Sequence, residues 1–465
     1  MFIYDIPSKF FSLIMAIVTL FSPLFVPKTK TAAYKAEIDY VFANEQAYSA
    51  SGQITINSEE DGVYTVFWGN EKAEKLTEKI SGHTITYSEL TTVEVKNGEG
   101  SENIYEFTAM PENAKTVLAF NGKTLAASAK IPDEKLGKRS EIYRFGALSD
   151  VHFNRYYRSL VDDSLSTFPN ALSFLDLYDV DFAAISGDLS ASSETSAFQK
   201  FNRITSRYDF PVYTTTGNHD VTSKLDKQAW LKYVNNGVYS EKKNSGIVEA
   251  NNDTFDFIYE PPMGKGDIFV FLSQCDWDYN NKPDTPENGE TNGESRILTD
   301  AQLDWLENTL ERYKERRVHL FFHTFFENFG TGDLATGEGN IINDAGATYG
   351  LVYTHGTADQ IRFASLLKKY KNVIAYNGHS HWAFDMIKFN PLLNVTNYGG
   401  ETATMVHISS VASPRRLENG SKKTQEYYFK DSEGYLVTVY DNCMILQGIN
   451  FLKGEKLSYA TYIIY

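Results

Sequence analysis

Five short stretches of this 465-residue chain carry groups able to hold a cation or move a proton. They are Asp150-Val151-His152, Gly187-Asp188, Gly217-Asn218-His219-Asp220, His323 and Gly378-His379-Ser380-His381. Carboxylate and amide oxygens and imidazole nitrogens are the ligands suited to borderline divalent metals such as manganese, iron or zinc. Two such groups one residue apart on an extended segment can flank one ion, as in Asp-x-His and His-x-His. The seven candidate ligands Asp150, His152, Asp188, Asn218, His323, His379 and His381 exceed the needs of one metal and suit two, with one carboxylate shared. His219 adds an imidazole, a group able to take up or give a proton, and Asp220 stands beside it as a second candidate for the proton chemistry. A lone histidine near a strand end is ordinarily a hydrogen-bonded structural residue. Five of the nine histidines fall in these clusters, and each cluster follows an apolar run. The coincidence, not any one residue, carries the argument.

Groups so far apart in sequence need a sheet to gather them. From Glu141 onward the pattern alternates strand and helix, which predicts a parallel-type sheet flanked by helices. Ile142 to Leu148, Phe182 to Ile185, Val212 to Thr216, Val318 to Phe322 and Asn372 to Tyr376 are the strand-like runs, each ending at a cluster. In open α/β sheets that carboxyl end is where ligands bind. Gly217 is read as permitting a tight turn there. Helices are expected over Ser164–Tyr178, Glu194–Tyr208, Asp359–Tyr370 and from about Thr299 to Glu315, where Thr299 and Gln302 form a capping box. Thr404 to Ser409, Tyr435 to Tyr440, Met444 to Ile449 and Tyr459 to Ile464 read as antiparallel strands completing a second sheet. Loops around Asn280 and from Gly330 to Thr354 would frame a substrate cleft.

The region before Glu141 has a different character. Short alternating runs such as Gln53–Ile56, Tyr64–Trp68, Thr92–Val95, Ile104–Phe107 and Thr116–Phe120 predict about seven half-buried strands. Asn97 to Gly100 reads as one of the turns between them. A β-sandwich of immunoglobulin or fibronectin type III kind is the expectation, with Ile131 to Lys138 as a linker. No group in it is placed for chemistry. The run Phe10 to Val26 is apolar and uncharged, follows Lys9, and precedes Thr31-Ala32-Ala33, the order of a secretory signal peptide. An uncleaved anchor competes with it, against Pro23 and the modest length. The expected division is therefore 1–33 as signal peptide or anchor, 34–135 as the sandwich and 140–465 as the α/β domain.

Composition limits the function classes. Hydrophobic residues make up 42% and charged residues 22%, the profile of a folded globular chain. A formal net charge of −16 argues against a binder of nucleic-acid polymers or anionic membranes, which needs a basic face. A small phosphorylated substrate held through metal remains compatible. The two cysteines, Cys275 and Cys443, build neither a disulfide framework nor a cysteine metal site.

The order Asp-x-His, Gly-Asp, Gly-Asn-His-Asp, His, Gly-His-x-His resembles the calcineurin-like metallophosphoesterase superfamily, from about Glu141 to Ser413. The resemblance implies a four-layer α/β/β/α sandwich and two metal ions. It implies Asp150, His152 and His381 at the first ion, and Asn218, His323 and His379 at the second. Asp188 would bridge the two, and His219 would be the catalytic histidine. The N-terminal sandwich is reminiscent of the accessory domain of purple acid phosphatases. Those enzymes carry a tyrosine three residues after the bridging aspartate, where this chain has Ala191, and they lack the equivalent of His152. The cyclic-nucleotide-phosphodiesterase-like branch fits better.

The expected reaction follows from these groups. Two ions about 4 Å apart lower the pKa of a bridging water and neutralise phosphoryl charge, and the bridging hydroxide attacks phosphorus in line. His219, oriented by Asp220 or by a backbone carbonyl, would stabilise the transition state or protonate the leaving oxygen. Asn218 and Arg155 are candidates for substrate binding, with Arg158 beside them; Phe153, Phe325 and Trp382 read as packing beneath the loops. His319, His355 and His407 are assigned to structure and Arg415-Arg416 to the solvent-facing surface. The expectation is an exported, secreted or cell-surface phosphodiesterase, touching membrane only through its N-terminal segment. Phosphomonoester hydrolysis, or a surface binding protein that keeps the fold, are the alternatives. Oligomeric state is not legible.

Overall fold

The computed structural model describes residues 24–25, 36–154, 163–221, 226–235, 237–239, 245–264, 266–274, 298–324, 329–332, 358–417, 425–427 and 430–465. The expected signal segment lies almost wholly outside them. Arg155, Arg158, Cys275, Phe325, His355 and the loops around Asn280 and after Gly332 also lie outside. Two compact units emerge: one takes the described residues up to Lys79, His83–Arg139 and Lys456–Tyr465, the other Ile80–Gly82 and Ser140–Glu455.

The first unit contains two antiparallel sheets. One runs through Ala36–Phe42, Gly52–Ser58 and Glu99–Ile104, the other through Thr124–Lys130, Thr116–Asn121, Gly62–Gly69 and Thr91–Val95. Alternate residues point inward, so Tyr40, Ile54, Ile56, Tyr64, Val66, Trp68, Val93 and Val117 form one core. The strand expected at Ile104–Phe107 is displaced to Glu99–Ile104. Asn97 and Gly98 both take positive φ, 56° and 94°, making a two-residue hairpin turn so tight that the next strand starts at once. The stretch read as a linker is also ordered: Lys135 is fully buried, and its Nζ donates to the carbonyls of Asn44 (3.0 Å) and Gln46 (2.7 Å).

In the second unit, β1 (Glu141–Leu148), β2 (Phe182–Ile185) and β3 (Val212–Thr214) lie parallel. A second sheet places β4 (Ile268–Phe271), β5 (Val318–Phe321), β6 (Val373–Asn377) and β7 (Thr404–His407) parallel in that order. So β7, expected antiparallel, continues the parallel set. The strands β8 (Glu433–Tyr440) and β9 (Met444–Asn450), expected in the second sheet, join the first instead, with β8 antiparallel to β1. Each is buried along its whole length and carries no alternation by which the sequence could assign a sheet.

Helices α1 (Ser164–Leu177), α2 (Thr195–Thr205), α3 (Asp300–Arg312) and α4 (Ala358–Lys369) supply the crossovers. The capping box at Thr299 and Gln302 forms as expected. Leu303, Leu306 and Leu310 of α3 pack with Phe363, Leu366 and Leu367 of α4 over Val270, Leu320 and Val373. Between the sheets the filling is aromatic. Phe145 stacks on Phe182 at 5.2 Å and meets Phe269 edge-on, while Phe321 stacks on Tyr376 at 4.4 Å. His319 stacks on Phe269 at 4.3 Å within this layer, a structural histidine as read from the sequence.

A buried aspartate and histidine centre

Every candidate cluster lies just past the carboxyl end of a parallel strand: Asp150 and His152 after β1, Asp188 after β2, Asn218 and His219 after β3, His323 after β5, His379 and His381 after β6. The backbone there departs from ordinary geometry. Asp150 (φ 55°), His152 (51°), Asp188 (55°), His379 (72°) and His381 (59°) all take left-handed conformations. Such a conformation in a non-glycine residue costs roughly 1–3 kcal/mol and survives only where the surroundings enforce it. Cross-links between loops do so: His152 N donates to Asp188 O (2.9 Å), Asp150 N to Gly187 O (3.2 Å) and His379 N to Asp150 Oδ2 (2.9 Å).

Glycine is needed for proximity more than for a turn. Gly217 is not in the left-handed region, but a Cβ there would sit 2.2 Å from Asp188 Oδ1, and one on Gly378 would sit 1.8 Å from Ser149 Oγ.

The side chains converge in three groups: Asp150, His152 and His381; His152, Asp188 and His219; Asp188, His323 and His379. In the first, His152 Nε2 and His381 Nε2 lie 2.9 Å apart, and Asp150 Oδ1 is 3.0 Å from His381 Nε2. Ser413 O and Oγ lie 3.3 and 3.2 Å from His381 Nδ1, which donates to them and leaves the Nε2 lone pair facing inward. Asp150 Oδ1 is fully buried and accepts no well-aligned hydrogen bond. In the third group, His323 Nδ1 donates to Ser186 O (2.6 Å), turning Nε2 toward Asp188 Oδ2 (3.2 Å) and Asn218 Oδ1 (3.1 Å). His379 Nδ1 approaches the same Asn218 oxygen at 2.9 Å. Buried carboxylate, amide oxygen and imidazole nitrogens converging at these distances make a donor set for a cation, and ring nitrogens backed by carbonyls are the usual support for metal-ligating imidazoles. The residues fit a metal.

Charge follows the same logic. Burial pushes the Asp188 carboxyl up, but the imidazoles of His323, His219 and His152 outweigh it and hold the group well below the usual carboxylate range. His323 is pressed down by burial and lifted more strongly by Asp188, to about 9. Burial and the neighbouring His323 charge take His379 down to about 3.

His219 is only partly buried; its Nδ1 donates to Ala191 O at 2.7 Å, and its backbone N donates to Asp188 Oδ1 at 2.9 Å. Of the two orienting groups considered from the sequence, the backbone carbonyl is the one in place. Asp220 is turned away from the imidazole: its carboxylate accepts from the N–H groups of Leu189 (3.1 Å), Ser190 (2.9 Å) and Gly217 (3.1 Å) and from Ser190 Oγ (2.8 Å). Burial, with the Asp188 charge next, pushes it up to about 7. Asp220 therefore ties two loops together and has no contact with the proton of His219.

Other contributors carry no sequence signal of their own. Ser410 Oγ donates to Asp150 O (3.0 Å), and Ser193 Oγ donates to Asp220 O (2.6 Å). Phe153 packs edge-on against Phe168, and Trp382 packs with Met386 and Leu393, as expected of both. Arg415 and Arg416, expected to face solvent, do not. Arg415 is 4% exposed, and Arg416 is bound by Asp385, Asp431 and Glu433. His407 is buried with Nε2 on Trp382 O (2.9 Å).

A family model described as calcineurin-like phosphoesterase matches residues 143–383, about half of the chain. No curated protein matches. Among solved structures, one titled "GAP50 the anchor in the inner membrane complex of Plasmodium" is similar at a TM-score of 0.38 and 12% identity, over 67% of this chain and 86% of that one. A likeness at that level carries no functional argument.

Proposed function

The chain belongs to the calcineurin-like phosphoesterase family, and on that premise we propose that it is an exported phosphodiesterase working with two divalent cations. The observation that carries this reading is the position of Asp188. Its Oδ2 lies 3.2 Å from His323 Nε2 and 3.5 Å from His152 Nε2, so one carboxylate faces both outer groups. Asp150, His152 and His381 would hold one ion and Asn218, His323 and His379 the other, with Asp188 shared; manganese, iron and zinc suit this donor set. Cations bound there supply neutralisation of the phosphoryl oxygens and a water that ionises near neutral pH.

The chain's own residues account for the rest. With Nδ1–H committed to Ala191 O, His219 presents Nε2 as the atom that carries a proton to the leaving oxygen. Asp188 fixes that histidine's backbone through Oδ1 while Oδ2 faces the other ligands. The preference for a diester rests on His152 and on Ala191 in place of a tyrosine; export rests on the apolar Phe10–Val26 run before Ala32-Ala33. A net charge of −16 favours a small phosphorylated substrate over a nucleic-acid polymer.

The test is hydrolysis of a bis-aryl phosphodiester beside the matching monoester. Metal-stripped protein receives manganese, zinc or iron separately, with Asp188→Ala as control. Diester turnover that disappears in the variant supports the proposal. Monoester preference would make the protein a phosphatase. Metal uptake without turnover of either ester would favour a binding role.

A further inference from the structure

The left-handed φ of His379 and His381 leaves the loop after β6 dependent on outside support. Beyond His381 the chain has no regular structure until the short 3-10 turn Phe384–Lys388. A three-residue strand, Arg415–Leu417, runs beside it: Arg415 N donates to His381 O (2.7 Å), and Ala383 N donates to Arg415 O (2.9 Å). The next side chain, Arg416, reaches three carboxylates at once. Its Nε bonds both Asp385 oxygens (2.8 and 2.9 Å), Nη2 bonds Glu433 Oε1 (3.0 Å) and Nη1 bonds Asp431. Glu433 is fully buried, and its other oxygen accepts from Phe384 N (2.9 Å). Phe384 and Asp385, consecutive residues just past the ligand, are thus gripped through one guanidinium. No other side chain offers three nitrogens in a plane for this.

We propose that Arg416 is a positioning residue for His381, fixing the segment His381–Asp385 through Asp385 and the Glu433 carboxylate so that the imidazole stays aimed at the metal. The inference rests on the metal-centre reading above. An ammonium in the same place neutralises part of the charge but cannot span the three acids. The segment then relaxes, and affinity for the ion that His381 serves falls while the fold survives.

The experiment is a manganese titration of the full chain, stripped of metal, followed by calorimetry, with circular dichroism to establish folding. Arg416→Lys is expected to bind manganese about 10- to 100-fold more weakly than the wild type, the range for groups that orient a ligand. Asp385→Asn, at a position 29% exposed and so gentler on the core, is expected to move in the same direction. Lys135→Met serves as a destabilised comparator in the other unit and is expected to leave the affinity unchanged. A folded Arg416→Lys that binds manganese as tightly as the wild type overturns the proposal, as does an equal loss in Lys135→Met. Should Arg416→Lys not fold, Asp385→Asn decides in the same way. A wild-type chain that takes up none of manganese, zinc and iron removes the metal-centre reading itself, a result distinct from either.

Discussion

His152 Nε2 and His381 Nε2 face each other across 2.9 Å, with the Asp150 carboxylate alongside. A cation that binds these buried groups in the folded chain and not in the unfolded one stabilises the fold by mass action. Chelation is therefore expected to lower the melting temperature, and manganese or zinc to restore it. At a free metal concentration of about 100 Kd the stabilisation is about 2.7 kcal/mol. Scanning calorimetry with and without chelator measures it; superimposable curves would show that the centre holds no ion.

His219 stands apart from the ligands by its exposure: it is only partly buried, whereas His152, His323, His379 and His381 are all buried. Replacing it should damage turnover and spare metal uptake. His219→Ala is expected to lose about 10²- to 10⁴-fold in kcat, the range for a positioned acid or base. Titration with manganese should be unchanged. A matching loss of metal affinity would make His219 a ligand instead.

Gly217 is held against Asp188, whose Oδ1 would lie 2.2 Å and whose backbone N 2.6 Å from an added Cβ. No flexible side-chain end can yield there, because the backbone is part of the obstruction. Gly217→Ala is expected to cost about 1–3 kcal/mol in urea denaturation, as overpacking does. It should also reduce metal content measured by elemental analysis. Wild-type stability and metal content in the variant would mean that the loops are not clamped.

Asp256 offers a pH test away from the ligands. It is 2% exposed and accepts from Ser273 N (2.7 Å) and Gln302 Nε2 (3.2 and 3.1 Å). Burial pushes its carboxyl up to about 7, against the pull of those hydrogen bonds, whereas an unfolded aspartate titrates near ~3.9. The folded chain therefore keeps a proton that the unfolded chain has released. Its stabilising contribution is complete below about pH 4 and is lost as pH climbs through 7. Denaturation at pH 5 and pH 8 should show a smaller decline for Asp256→Asn than for the wild type, by roughly 3 kcal/mol. Equal declines would assign the pH dependence to other groups.

The sequence exposed this site because each cluster ends an apolar run, so strand and ligand are read together. Asp220 misled because adjacency to His219 suggested shared chemistry, while its carboxylate in fact serves the amides of Leu189, Ser190 and Gly217. Lys135 and Arg416 belong to stretches that look like linker and surface. Their burial depends on partners far along the chain, Asn44 and Gln46 for one, Asp385 and Glu433 for the other. Side-chain bonds to distant partners have no period, and no pattern announces them. The fully buried strands β8 and β9 were visible as strands, but without alternation their sheet could not be chosen.

The bond from His379 N to Asp150 Oδ2 joins residues 229 positions apart. Closing a segment of that length is entropically costly before any contact rewards it, and folds dominated by such pairings form slowly. Asp188, His219, His323 and His381 come together only when both sheets have been laid down and docked. The full ligand set therefore exists only after long-range closure, whatever the local pairs Asp150-Val151-His152 and His379-Ser380-His381 can do alone. A cation held by the whole set ties together segments more than 200 positions apart, so its removal releases long loops and not a local turn.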